Sequence, residues 1–128
     1  RTADASEQAD FDAANRVIAH LEKHRQDPFF IGLGFVRPHV PFVAPGKFFD
    51  LYPLERIRNF PNPPGDLDDI PEMGRVAKNN WDHMGMSEEE RRVALQSYYA
   101  ATSFMDEQLG RVLDALERLG LRENTIIS

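Results

Sequence analysis

The stretch Pro28-Phe29-Phe30-Ile31-Gly32-Leu33-Gly34-Phe35-Val36-Arg37-Pro38-His39-Val40-Pro41-Phe42 decides how the rest of the chain is read. Its apolar part, Phe29 to Phe35, reads as a fully buried strand. Gly32 and Gly34 fall on one face of that strand, where glycine weakens pairing unless a backbone or a ligand comes close. The strand passes at once into Arg37 and His39, held by Pro38 and Pro41. In open α/β sheets ligands gather beyond the carboxyl ends of strands. A constrained loop at that edge, carrying a cation and an imidazole with few carboxylates nearby, is suited to an anion.

Upstream, residues 5–24 place Phe11, Ala14, Val17, Ile18 and Leu21 at helical spacing. Asp4 or Ser6 is the expected N-cap, with Asp10 and Asp12 supplying negative charge near the start. Lys23, His24 and Arg25 sit where cations favour the helix dipole, and Asp27-Pro28 ends the helix.

Downstream, residues 36–46 form a proline-constrained loop, and Lys47 to Tyr52 fit one helical turn closed by Pro53. Residues 54–86 are irregular, with Pro61, Pro63, Pro64 and Pro71, and read as an insertion or lid-like loop. Ser87 with Glu90 makes a capping box for a long helix that ends near Leu119, with Gly120 as its C′ residue. Its apolar stripe is Val93, Tyr98, Ala101, Phe104, Met105, Leu109, Val112, Leu113 and Leu116, and Gly110 offers a place to kink. Thr125-Ile126-Ile127-Ser128 opens a second strand. The order helix, strand, loop, long helix, strand predicts an α/β fold with a mostly parallel sheet flanked by helices.

The chain starts without Met and stops in a β-branched run that no turn or cap follows, which reads as an internal piece of a longer protein. Its 128 residues are 41% hydrophobic and 28% charged, a globular composition rather than a disordered one. A net charge of -6, with no basic stripe, argues against a nucleic-acid partner. No apolar run approaches the roughly 20 residues that span a bilayer, and Arg1-Thr2-Ala3-Asp4 lacks the apolar region of a signal peptide. Without cysteine there is no disulfide, thiolate metal site or thiol nucleophile within these residues.

Each candidate has a plainer alternative. His39 is either a site residue or a loop histidine bonded to backbone carbonyls; Arg37 is either an anion ligand, its fork suiting sulfate, phosphate or carboxylate, or a surface cation paired with a carboxylate. His20 and His24 have a zinc-like spacing, but Leu21 stands where the zinc-protease motif needs Glu. Asp66-Leu67-Asp68-Asp69 lacks the alternation of a calcium loop and reads as solvated, while Glu88-Glu89-Glu90 reads as helix-start chemistry. Trp81-Asp82-His83 reads first as packing, then as a substrate contact. Asp106 pairs with a cation or faces water, and Tyr98 and Tyr99 are expected to pack.

Three segments together resemble the sulfatase family of the alkaline-phosphatase-like superfamily, in particular its iduronate-2-sulfatase branch. They are Pro28 through Phe42 continuing to Pro45, Phe48, Leu51-Tyr52-Pro53-Leu54 and Ile57; Tyr98-Tyr99-Ala100-Ala101-Thr102-Ser103-Phe104-Met105-Asp106 with Leu109-Gly110-Arg111-Val112-Leu113; and Leu119-Gly120-Leu121-Arg122-Glu123-Asn124-Thr125-Ile126-Ile127. The resemblance implies hydrolysis of a sulfate ester, that of a sulfated carbohydrate above all, by a formylglycine and a divalent cation, usually calcium. It also implies that His39 contacts the sulfate and assists proton transfer, with Arg37 beside it where the family has Lys. No Cys or Ser here begins an x-Pro-x-Arg motif, and the family's Asp pairs for the metal are not matched. The expectation is therefore a piece of a sulfatase catalytic domain, inactive alone, from an enzyme that is periplasmic, secreted or lysosomal. The alternatives are a phosphodiesterase or phosphatase relative and a non-catalytic anion- or sugar-binding paralogue.

Overall fold

The computed structural model describes residues 3–61, 63–65, 68–76 and 85–128. Four α-helices are found among them: α1 (Ala9–Lys23), α2 (Gly46–Phe49), α3 (Glu72–Val76) and α4 (Glu88–Arg118). Short 3₁₀ turns occupy Ala5–Glu7, Leu54–Arg56 and Arg122–Asn124.

The expected first helix is divided in two. Asp4 does cap, its carboxylate accepting from the Ser6 N–H at 2.9 Å, but what it caps is the 3₁₀ turn; α1 itself begins after Gln8. Helix α4 starts as expected, with Ser87 N–H donating to Glu90 Oε2 at 2.7 Å and Glu90 N–H to Ser87 Oγ at 3.2 Å. These bonds satisfy groups that a helix start otherwise leaves orphaned. At the other end Gly120 adopts φ +69°, and Gly120 and Leu121 N–H groups donate to Glu117 and Leu116 carbonyls, each at 2.9 Å. That pair of bonds is the Schellman closure, which favours glycine because a Cβ is strained at positive φ. Gly110 does not interrupt the helix.

The two long helices run parallel. Arg111 of α4 donates to Asn15 Oδ1 of α1 at 2.5 Å, and Arg118 to Glu22 at 2.8 Å, the second pair lying the same interval further along both helices in the same direction. Ala14 and Leu21 of α1 are buried, as are Ala100, Ala101, Phe104, Val112, Ala115 and Leu116 of α4, with Ala100 and Phe104 clustering against Ala44 and Phe48. Phe48 of α2 closes one side, meeting the Phe104 ring edge-on at 5.6 Å between centroids. The buried face of α4 is rotated from the predicted stripe, since Val93 and Tyr98 are largely exposed while Ser97 and Gln108 are buried. Gln108 tolerates burial because its amide donates to the Phe104 carbonyl at 3.2 Å and accepts from Arg111 at 2.7 Å.

The expected strands are extended but unpaired. Along 29–36 odd-numbered residues are half-buried and even-numbered ones exposed, the alternation of a pleated strand, with Phe30 99% exposed. Residues 125–128 lack that alternation: Thr125 is half-buried, and Ile126 at 97% and Ile127 at 46% are both exposed. Among the described residues no β-ladder forms, and the one isolated bridge is at Ala44, whose carbonyl accepts from Ala3 N–H at 3.3 Å. The reading of Phe29 to Phe35 as a fully buried strand is thus corrected: one face is half-buried and the other is bare. A strand has no bonds of its own and needs a neighbour for each N–H and C=O.

Candidate functional site

The segment that carries Arg37 and His39 is held by the start of α1. Asp10, only 2% exposed, uses both carboxylate oxygens: Oδ1 accepts from Val36 N–H at 2.7 Å and Oδ2 from Arg37 N–H at 2.9 Å. A carboxylate in the first turn of α1 also sits at the positive end of the helix dipole. The chain then turns back, with His39 N–H donating to the Val36 carbonyl at 2.9 Å. The Arg37-Pro38 and Val40-Pro41 peptide bonds are both cis.

The Arg37 guanidinium lies along this turn. Nη1 donates to the Pro41 carbonyl at 2.9 Å and to the His39 carbonyl at 3.3 Å, while Nη2 donates to Gln8 Oε1 at 2.8 Å. Two of its five N–H groups are not used in these bonds. Among the described residues its acceptors are two carbonyls and an amide, not the carboxylate of a surface ion pair.

His39 is exposed, and its Nδ1 lies 2.7 Å from the Val40 carbonyl. A carbonyl only accepts, so Nδ1 carries the proton and Nε2 is the nitrogen left for a ligand. The plain alternative, a histidine bonded to backbone, therefore describes one ring nitrogen and leaves the other for chemistry. The neutral ring offers a base at Nε2; the protonated ring offers an N–H to an anion.

The other candidates lie elsewhere or have structural work. His20 and His24 stack at 4.6 Å on the last turns of α1, and His24 pairs with Asp27 at 3.1 Å. Glu90 closes the α4 cap, and its carboxyl is held below the ordinary carboxylate value by the backbone N–H and hydroxyl of Ser87. Asp106 is exposed. Tyr98 meets the ring of Phe42 edge-on at 5.5 Å, tying the end of the loop to α4, and Tyr99 packs against Tyr52. Asp68 and Asp69 are exposed, whereas Asp66, Leu67 and Trp81-Asp82-His83 lie outside the described residues. Among the described residues no group of three or more His, Asp or Glu could hold a metal ion. No helix among them is long and apolar enough to cross a membrane.

The family model for Sulfatase matches residues 2–128. The chain belongs to the sulfatase family. It is 42% identical over 125 residues to a sulfatase of Formosa agariphila, and 33% identical over 138 to human iduronate 2-sulfatase. The first alignment covers 92% of this chain and the second 93%, and each covers 24% of the relative. A choline-sulfatase of Rhizobium meliloti is 28% identical over 122 residues, covering 89% of this chain and 23% of the relative. The chain thus spans about a quarter of the length of these curated sulfatases.

In this sulfatase chain the residue that reading the sequence missed is Asp10. It looked like ordinary negative charge at a helix start, as Asp12 is, and Asp12 is indeed exposed. No spacing links Asp10 to Val36 and Arg37; only the packing of α1 against the extended segment does.

Proposed function

We propose that these residues form part of the catalytic domain of an enzyme that hydrolyses sulfate esters, and that residues 36–42 make one wall of its sulfate pocket. The observation that carries this reading is His39, whose Nδ1 is engaged by Val40 and whose Nε2 is presented at the end of a pinned extended segment. In this role the protonated Nε2 donates to a sulfate oxygen or hands its proton to the leaving alcohol. General acid catalysis of this kind contributes about 10²- to 10⁴-fold. Arg37 keeps the loop closed and adds fixed positive charge toward the anion.

The relatives named for iduronate and for choline differ in the group their names specify and share the sulfate, which supports the sulfate as what the loop meets. A sulfated sugar is the proposed substrate class. In the whole enzyme the extended segments 29–35 and 125–128 are proposed as parallel strands of one sheet, a reading supported by the parallel α1 and α4 that precede them. Residues 54–86 are proposed as an insertion of that domain. The formylglycine and the divalent cation, calcium in this proposal, are assigned outside these 128 residues.

The test uses the purified full-length protein with an aryl sulfate and the matching aryl phosphate. The expected result is sulfate release, lowered about 10²- to 10⁴-fold in kcat by His39→Ala. Turnover of the phosphate ester alone, binding without turnover, or a His39→Ala enzyme of unchanged kcat would overturn the proposal. The 128-residue chain by itself is expected to release no sulfate.

A further inference from the structure

Gln8 and Asp10 are nearly buried polar residues at the start of α1, and nothing in the proposed chemistry uses them. We propose that Asp10, with Gln8 as its lesser companion, is a positioning residue that holds His39 in reach of the sulfate. This inference rests on the proposed role of His39.

The loop is fixed at both ends by these two side chains. At its entry the Asp10 carboxylate takes the N–H groups of Val36 and Arg37, the peptides at which the extended segment becomes the loop. At its exit the Pro41 and His39 carbonyls are tied through the Arg37 guanidinium back to Gln8. The His39 ring lies between the two ties, and among the described residues its hydrogen bond is to the adjacent Val40 carbonyl.

A charge that served only the helix dipole could remain in water, as Asp12 does one turn-face away. Burying a carboxylate costs free energy unless hydrogen bonds replace its hydration. Here the replacements are two backbone N–H donors, which require two acceptor oxygens on one rigid group. Asparagine supplies one oxygen and would set its NH₂ against the second N–H. The loop entry would then shift, and a displacement of about 1 Å at a reacting group costs on the order of 10²-fold.

The test is a pair of double-mutant cycles in the full-length protein: Asp10→Asn with His39→Ala, and Gln8→Ala with His39→Ala, each followed by kcat and KM on an aryl sulfate. Asp10→Asn is expected to lower kcat by about 10- to 100-fold, and Gln8→Ala by a smaller factor, with KM changing less than kcat. In the His39→Ala background both substitutions should lose most of their effect, because a residue that acts through His39 has nothing left to position. If each lowers kcat by the same factor in both backgrounds, the role is merely structural and the inference is overturned. Should Asp10→Asn not yield folded protein, the Gln8 cycle decides by the same criterion. A His39→Ala enzyme with unchanged kcat overturns the proposed role of His39 itself, and the positioning claim falls with it, a result distinct from equal factors in the two backgrounds.

Discussion

The helices and the extended segments that follow them repeat one order along the chain, a helix and then an apolar run, yet they are found in opposite states. Helices α1 and α4 are packed and cross-linked by the Asn15–Arg111 and Glu22–Arg118 pairs, and α4 is capped at both ends. Residues 29–36 show the alternation of a strand, yet Phe30 there and Ile126 in the run 125–128 lie almost wholly in water. A helix satisfies its backbone within itself, so it needs neighbours only for its apolar face. A strand needs them for every peptide group and, in a sheet covered on both sides, for both faces. The candidate site lies on the seam: Asp10 from the completed helical layer grips the end of the open one.

Four changes would break or sharpen this contrast. Phe104→Ala removes the fully buried ring between α2 and α4 and is expected to destabilise the protein by about 3–5 kcal/mol in denaturant titration. A loss under about 1 kcal/mol would show that the helical layer is not a core.

Phe30→Asp addresses the other region in two settings. In the 128-residue chain the side chain is 99% exposed, so the expected change is within about 0.5 kcal/mol. In the full-length protein, where the proposed sheet covers it, the same substitution should cost about 3–5 kcal/mol as a buried unpaired charge. Equal effects in both would count against a covered sheet face.

Ser87→Ala removes the hydroxyl half of the α4 capping box and should lower stability by about 1 kcal/mol, seen as a fall in Tm. Glu90 adds a pH signature. Its folded carboxyl titrates below the ordinary value because Ser87 bonds its charged form. Its stabilising contribution is therefore present above the unfolded carboxylate pKa and is lost as pH falls through the lowered folded one. Ser87→Ala should shrink that acid-side loss while leaving the backbone share, and an unchanged acid limb of Tm against pH would remove Glu90 from the account. The smallest effect is expected at Lys47, whose exposed pair with Glu107 joins α2 to α4 at 2.5 Å: Lys47→Ala should cost under about 1 kcal/mol and less at high salt.

Much of this was legible in the residues because the signals were local. Ser87 and Glu90 stand three apart and Gly120 follows the last helical turn, so the α4 caps could be read from neighbours in sequence. The Arg37 and His39 loop was legible for the same reason. The turn expected over Lys47 to Tyr52 and closed by Pro53 is instead Gly46–Phe49, capped at Asp50, with Pro53 opening the next 3₁₀ turn. What misled was the assumption of burial for Phe29 to Phe35, since an apolar run records a preference for partners rather than their presence. The helix start also came out differently, because Asp4 caps a 3₁₀ turn that delivers Asp10 to Val36.

From sequence alone came the order of helix and apolar run, the α4 caps and the proline-bounded loop, each a matter of spacing between near neighbours, and, separately, the resemblance of three whole segments to sulfatases. Tertiary structure decided which of two similar aspartates grips the loop entry and that the Arg37 fork reaches back to Gln8. Those outcomes depend on contacts between residues far apart in the chain, such as Asp10 with Val36 and Gln8 with Arg37, and only packing brings such pairs together.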